Sequence, residues 1–288
     1  MFSIIIPLYN KARYIGATLA SVLEQTYTAW EAIVVDDGST DGSAEIVEKI
    51  VKELNANSNV GGAQGTPLIR LIRQPNGGVS CARNTGIRAA KGDFVAFLDA
   101  DDRWDANYLE QMHALIQRHP QEGLFCAARH GRLIPYQPEE TVIEDVAAWT
   151  IILWTGTIVA RRTLFDSVGL FREGINRGED RDMWLRIGLA TPAVLLNREL
   201  AHYEEDAEGS LTATVPLSRE FPYWEWYDLP TRFPDSLRRY ATNQIIQLAK
   251  AHLQAGHRRT ALRLMLRCRG TSDLRIRLKL LTRCLIGN

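Results

Sequence analysis

FSIIIPLYNKARYIGATLASVLEQTYTAWEAIVVDDGST, residues 2–40, is the stretch that sets the architecture. Phe2–Leu8 is a short apolar run of buried-strand type. Ile15, Leu19, Val22 and Leu23 then recur at helical spacing. Trp30–Val35 is apolar again and runs into DDGSTDGS, a turn-rich segment. The alternation continues with a helical stripe at Ile46, Val47, Ile50, Val51 and Leu54, then a strand at Leu68–Ile72, a helix at Val79–Ala90 and a strand at Asp93–Leu98. This βαβαβαβ order predicts an α/β fold, a mostly parallel sheet flanked by helices. Right-handed crossovers place the strand C-termini along one edge, where such sheets bind ligands.

Asn55–Pro67 is polar and rich in Gly and Asn, and reads as a surface loop. Beyond Trp104 the pattern predicts helices at Leu109–Arg118 and Arg177–Gly188 and strands at Gly123–Ile134, Thr155–Ala160 and Ala193–Tyr203. From about Pro230 the chain reads as helices only. The 288 residues, 45% hydrophobic and 24% charged, suit a globular protein. No apolar run is long enough to span a bilayer, and MFSIIIPLYN lacks the layout of a signal peptide. Cys81, Cys126, Cys268 and Cys284 are scattered without metal-finger spacing, which fits a reducing cytosol. Net charge is zero but uneven: Pro230–Asn288 carries 13 Lys and Arg against 2 Asp and Glu.

GDFVAFLDADD, residues 92–102, carries the chemistry. Asp99, Asp101 and Asp102 follow the end of a strand. Side chains alternate along an extended chain, so Asp99 and Asp101 point the same way. Packed carboxylates repel, and a divalent cation removes that cost; Mg²⁺ and Mn²⁺ both favour such oxygen ligands. A solvated turn is the plain alternative for an isolated D-x-D. Asp36–Asp37 ends another apolar run and falls on the same sheet edge. Ser39, Thr40 or Asp41 can cap the helix that follows, which leaves Asp37 free for a ligand.

The blocks SIIIPLYNKARYIGATLASVLEQTYTAWEAIVVDDGSTDGS, NGGVSCARNTGIRAAKGDFVAFLDADDRW and GEDRDMWLRI together resemble the family 2 glycosyltransferases of GT-A fold, over roughly residues 1–212. The resemblance implies a Rossmann-like GT-A domain at 1–215, with 216–288 as a mostly helical, basic extension. It implies inverting transfer of a sugar from a nucleotide-diphosphate donor, with Mg²⁺ or Mn²⁺. On that basis Pro7, Tyr9 and Asn10 line the nucleotide pocket and Asp37 meets the base, uracil fitting best. Gly78, Arg83 and Asn84 shape the pocket or approach the diphosphate. Asp99 and Asp101 bind ribose and metal-diphosphate, with Asp102 beside them, and the Glu179–Asp180 pair supplies the catalytic base.

Two aspartates compete for the base. On a helix Asp180 shares a face with Met183, Trp184 and Ile187, so it turns toward protein, where desolvation raises a carboxyl pKa. Asp182 lies four before Arg186 and can form a surface pair. This favours Asp180, against the plain reading of a helix cap. Trp154 and Trp184 are the aromatics placed nearest a sugar, with core packing as the alternative for each. The histidine that many relatives carry near a GSLT-like segment is missing: Ala207 and Glu208 precede Gly209–Thr212, and the nearest histidine is His202. Glu205, Asp206 or Glu208 can substitute. The Q-x-x-R-W motif of processive synthases is absent, which suggests addition of one or few sugars.

In the tail, Leu274, Leu278, Leu281 and Leu285 form a stripe beside Arg275, Lys279 and Arg283. Such a basic amphipathic helix can rest on an anionic membrane surface, which places the protein in the cytoplasm or at the membrane's inner face. Packing on the catalytic domain is the alternative. Little aromatic interleaving accompanies the charge, so no nucleic-acid partner is expected. The acceptor expected is a glycan or lipid-linked saccharide of a bacterial surface polysaccharide or lipopolysaccharide. Two other functions compete. A sugar-nucleotide-forming nucleotidyltransferase would carry a Gly-rich phosphate loop where PLYNKARY stands, and a non-catalytic module would have lost Asp99, Asp101 or Asp180.

Overall fold

A computed structural model describes residues 1–56, 69–135, 137–146, 153–175, 178–204, 234–267 and 282. Among these residues nine strands form one sheet: β1 (Phe2–Leu8), β2 (Trp30–Asp36), β3 (Ile69–Arg73), β4 (Phe94–Phe97), β5 (Arg103–Trp104), β6 (Leu124–Arg129), β7 (Glu140–Ile143), β8 (Ile158–Arg161) and β9 (Ala193–His202). Among the described residues eight helices accompany them: α1 (Ile15–Leu23), α2 (Ser43–Ala56), α3 (Val79–Ala89), α4 (Tyr108–Arg118), α5 (Leu164–Val168), α6 (Glu179–Ala190), α7 (Pro234–Gln254) and α8 (Arg258–Arg267). The strand order is β3-β2-β1-β4-β8-β6-β9-β5, with β7 on β9.

β3, β2, β1 and β4 are parallel neighbours, as the alternating pattern predicts. The second half is mixed. β8 runs antiparallel between β4 and β6, β6 is parallel to β9, and β5 and β7 pair antiparallel with β9. The three elements missing from the sequence reading are β5, β7 and α5, of two, four and five residues. Each is too short to show a period and forms through its partner. The expected strand at Thr155–Ala160 opens with a 3-10 turn, Thr155–Thr157.

Alternation along β1 divides the core between two faces. Phe2, Ile4, Ile6 and Leu8 join α1 and α4 through Ile15, Leu19, Val22, Leu109 and Met112. Ile5 faces the other side with Ile33, Val35, Ala82, Phe97, Met183 and Trp184. α3 packs very close to β1 there, since a Cβ on Gly86 would lie 2.4 Å from a methyl of Ile5.

The chain separates into two compact units, Met1–Val215 and Pro216–Asn288. In the second, α7 and α8 pack through Ile246, Ala249, Ala261 and Met265, across a turn whose Gly256 has φ 77°. No helix among the described residues is long and apolar enough to cross a membrane. The expected loop loses Asn55 and Ala56 to the end of α2. The rest of that loop, Glu205–Thr212, Cys268, Cys284 and the tail stripe from Leu274 to Leu285 lie outside the described residues.

Candidate active site at the strand ends

β1 lies between β2 and β4, so the segments after all three leave the same edge of the sheet. Leu8 carbonyl accepts the Asp37 N–H at 2.8 Å, and Ile5 carbonyl accepts the Leu98 N–H at 3.1 Å. The Asp36–Asp37 and Asp99–Asp102 segments therefore flank the end of β1, as the strand alternation predicts.

Asp37 is not free there. Its Oδ1 accepts from Gln74 Nε2 at 2.7 Å and Gly77 N–H at 2.9 Å, and its Oδ2 from Gly78 N–H at 2.8 Å. The segment after β3 folds back over the carboxylate, which the strand pattern alone did not indicate. Asp37 thus shapes the turn into α3, where Gly78 takes φ 87° as N-cap. Asn10, at φ 51°, binds the loop after β2: its N–H reaches Ser39 Oγ and its Oδ1 accepts the Thr40 N–H. Pro7 is half-buried and Tyr9 is exposed.

The acidic strand end is charge-crowded. Asp99 Oδ1 meets Arg83 Nη2 at 2.9 Å, and Asp101 Oδ2 meets Lys11 Nζ at 2.7 Å. Asp102 is buried; its Oδ1 accepts the Glu204 N–H at 3.1 Å, and its Oδ2 has no hydrogen-bond partner among the described residues. Burial, then Asp99, push the Asp101 carboxyl above its ordinary value. Burial, then Asp99 and Asp101, push Asp102 up to about 9. A buried, unpartnered carboxylate oxygen within three clustered carboxylates fits a divalent cation such as Mg²⁺ or Mn²⁺, which would supply the missing charge.

That crowding has a testable consequence. Between the ordinary carboxylate range and about 9, folded Asp102 keeps a proton that the unfolded chain has lost. The folded state then binds more protons, so stability falls as pH rises through this window. Without divalent cation, thermal unfolding should occur at a lower temperature near pH 9 than near pH 6. Added Mn²⁺ should flatten the slope, because a bound cation replaces the proton and its binding releases it. Identical slopes with and without Mn²⁺ would reject a cation site at these carboxylates.

Arg83 ties this edge to α6. Its Nη1 meets Glu179 Oε1 at 2.9 Å while its Nη2 holds Asp99, and its guanidinium lies 5.4 Å from the Phe171 ring centroid. Burial disfavours the guanidinium charge, but Asp99 and Glu179 outweigh it and raise the Arg83 pKa well above its usual value. Glu179 is itself raised, by burial first and by Asp180 second, against Arg83. Asn84, the neighbour of Arg83, turns elsewhere. Its Nδ2 donates to Phe171 carbonyl and Glu173 Oε1, and its Oδ1 accepts the Phe171 N–H. It anchors that segment to α3, where the family resemblance had placed it near the nucleotide.

α6 starts after Gly178, whose φ of 91° admits no easy side chain, and carries Glu179, Asp180 and Asp182 in its first turn. Acidic groups there complement the helix dipole. Met183, Trp184 and Ile187 are buried as the spacing predicts, with Asp180 half-buried at the end of that face. Asp180 Oδ2 lies 3.5 Å from the Thr155 hydroxyl. Two expectations are corrected. Asp182 is wholly buried, its Oδ2 meeting Arg186 at 2.9 Å and Arg172 at 3.4 Å, because the Val168–Arg172 segment covers that side of the helix. Trp184 is a core residue, edge-to-face with Phe97 and Phe171, and its indole N–H donates to Thr155 Oγ1. Trp154 is half-buried and edge-on to Tyr203, with the Arg129 guanidinium over both rings. Lys11, Arg129 and Tyr203 lay outside the sequence reading; for Lys11 the signal was a cation just past the end of β1.

Sheet order and strand ends of this kind are those of the GT-A fold, and solved structures agree. Staphylococcus aureus TarS, residues 1–349 in complex with UDP-GlcNAc, superposes with TM-score 0.62 at 24% identity, over 85% of this chain and 66% of that one. A mannosyltransferase of Pyrobaculum calidifontis in complex with GDP-Man and Mn²⁺ gives 0.56 at 17%, over 98% and 78%. Residues 3–142, just under half of the chain, match the model described as glycosyl transferase family 2. Among curated relatives, the poly(ribitol-phosphate) β-N-acetylglucosaminyltransferase TarS of Staphylococcus aureus is 29% identical over 76% of this chain and 38% of its own length. The uncharacterized glycosyltransferase EpsJ of Bacillus subtilis is 32% identical over 62% and 54%. The chain thus spans only about a third to a half of these relatives.

Proposed function

We propose that the chain is an inverting glycosyltransferase that moves a sugar from a UDP-sugar to a hydroxyl of a glycan or lipid-linked saccharide acceptor. The observation that carries this reading is the Arg83 fork, which joins Asp99 at the acidic strand end to Glu179 beside Asp180. Donor-binding and proton-accepting groups are thereby held in fixed relation, as displacement at one carbon requires. Asp99 and Asp101, with Asp102 behind them, are the residues to hold a divalent cation. When bound, it supplies positive charge to the departing diphosphate. Asp180 takes the proton from the acceptor hydroxyl as the oxygen attacks the anomeric carbon. Glu179 positions Arg83, and Pro7, Tyr9, Asn10 and the Asp37–Gly78 turn form the wall for the nucleoside. Trp154 offers an aromatic face to a sugar. The UDP-GlcNAc complex of TarS and the Mn²⁺ of the mannosyltransferase support a nucleotide-sugar donor and a metal. The name of the TarS relative, a poly(ribitol-phosphate) β-N-acetylglucosaminyltransferase, supports a bacterial surface polymer as the destination.

Thermal shift with nucleoside diphosphates tests the donor. UDP with Mn²⁺ should raise the unfolding temperature more than UDP alone or GDP with Mn²⁺, and UDP-sugars should release UDP in the presence of Mn²⁺. No response to any nucleotide with metal would overturn the assignment.

A further inference from the structure

A second cluster of donors stands on the same sheet edge and takes no part in the chemistry above. Asp105 follows β5, His130 follows β6 and His202 ends β9. Asp105 Oδ1 lies 2.8 Å from His202 Nε2, and its Oδ2 lies 3.2 Å from His130 Nε2. The two imidazoles stack with centroids 3.9 Å apart and planes 16° apart. One donor atom from each of the three residues lies within 4.8 Å of the others.

The backbone under all three is pinned to β9. Asp105 N–H donates to Leu200 carbonyl at 3.0 Å, His130 N–H to Ala201 carbonyl at 2.9 Å, and His202 pairs with Arg103 in the β5–β9 ladder. Glu199 stands behind His130, its Oε2 3.6 Å from Nδ1, while its Oε1 accepts the Gly131 N–H at 2.9 Å. A carboxylate behind a histidine fixes the ring and raises the basicity of the nitrogen that faces a metal.

We infer that Asp105, His130 and His202 form a binding site for a borderline first-row divalent cation, Zn²⁺ above all, separate from the Asp99–Asp102 carboxylates. Two imidazole nitrogens and one carboxylate oxygen suit Zn²⁺, whereas Mg²⁺ demands oxygen ligands. Ligand bonds of about 2.0–2.2 Å put donors roughly 3 Å apart, the spacing already seen on both sides of the Asp105 carboxylate. The ion takes the place of the N–H protons now shared with Asp105. Both rings remain about two-fifths exposed, so the ion has a path in and a coordination position stays open to solvent or a ligand.

The test is calorimetric titration of the full chain with Zn²⁺, in excess Mg²⁺, for wild type, His130→Gln, His202→Gln and Asp101→Asn. Wild type and Asp101→Asn should share a Zn²⁺ site that each histidine variant weakens at least about tenfold. Co²⁺ in that site should give a visible absorption band that Glu199→Gln alters. Zn²⁺ binding unchanged by both histidine substitutions would overturn the inference. So would binding that Asp101→Asn or excess Mg²⁺ abolishes. Circular dichroism of each variant separates loss of the site from loss of the fold. None of these readouts depends on transfer activity, so the site stands or falls apart from the proposed function.

Discussion

Asp180→Asn is expected to lower transfer by about 10²–10⁴-fold, the usual contribution of a positioned general base. Binding of UDP with Mn²⁺ should be unchanged, because Asp180 sits on α6 and not on the acidic strand end. Asp101→Asn should also lower transfer, by at least about a hundredfold, since a catalytic cation is worth several kcal/mol and each tenfold needs about 1.4. Here, however, the metal-dependent part of nucleotide binding should fall as well. Asp101 sits between Asp99 and Lys11, and its replacement leaves Lys11 without that partner. The readout is a pair of measurements on each variant, UDP release and UDP affinity with and without Mn²⁺. Equal loss of metal-dependent affinity in both variants would contradict the division of labour. Full activity in Asp180→Asn would move the base elsewhere on the edge.

Arg83→Met should produce the largest loss of stability. The guanidinium is 4% exposed and holds Glu179, 10% exposed, and Asp99, 29% exposed. Removing one partner of a buried pair leaves charge unpaired, at a cost of about 3–5 kcal/mol. The lower end applies here, because Asp99 can turn to water and Glu179 can take up a proton, its pKa being raised already. Urea unfolding should show the loss, and Glu179→Gln in the same chain should restore part of it. A loss near zero would show that Arg83 is not charged against both carboxylates. The same substitution should weaken transfer, because Asp99 and α6 lose their common anchor.

The periodic elements needed no tertiary information. Phe2–Leu8, Trp30–Asp36 and α3 stand within a residue or so of the pattern, since each is long enough to show its period and buries a continuous face. The same alternation put Asp37 and Asp99 on one edge, because parallel strands with helical crossovers have no other arrangement of their ends. Side-chain partnership was a different matter. Asp37 and Asn84 looked available, yet each is taken up by a segment 40 or 87 residues away. Asp182 pairs with Arg186 as its spacing indicated, but the Val168–Arg172 segment buries the pair. Arg83 showed no sign of reaching Glu179, 96 residues on.

The chain's local chemistry determined which strands and helices form, which faces they bury and where the carboxylates emerge. Only the tertiary structure decided which carboxylate meets which cation, and which side chains are consumed in holding loops. The reason is physical: periodicity is written in neighbours, whereas a hydrogen bond or ion pair across the sheet depends on the packing of distant segments within about 3 Å.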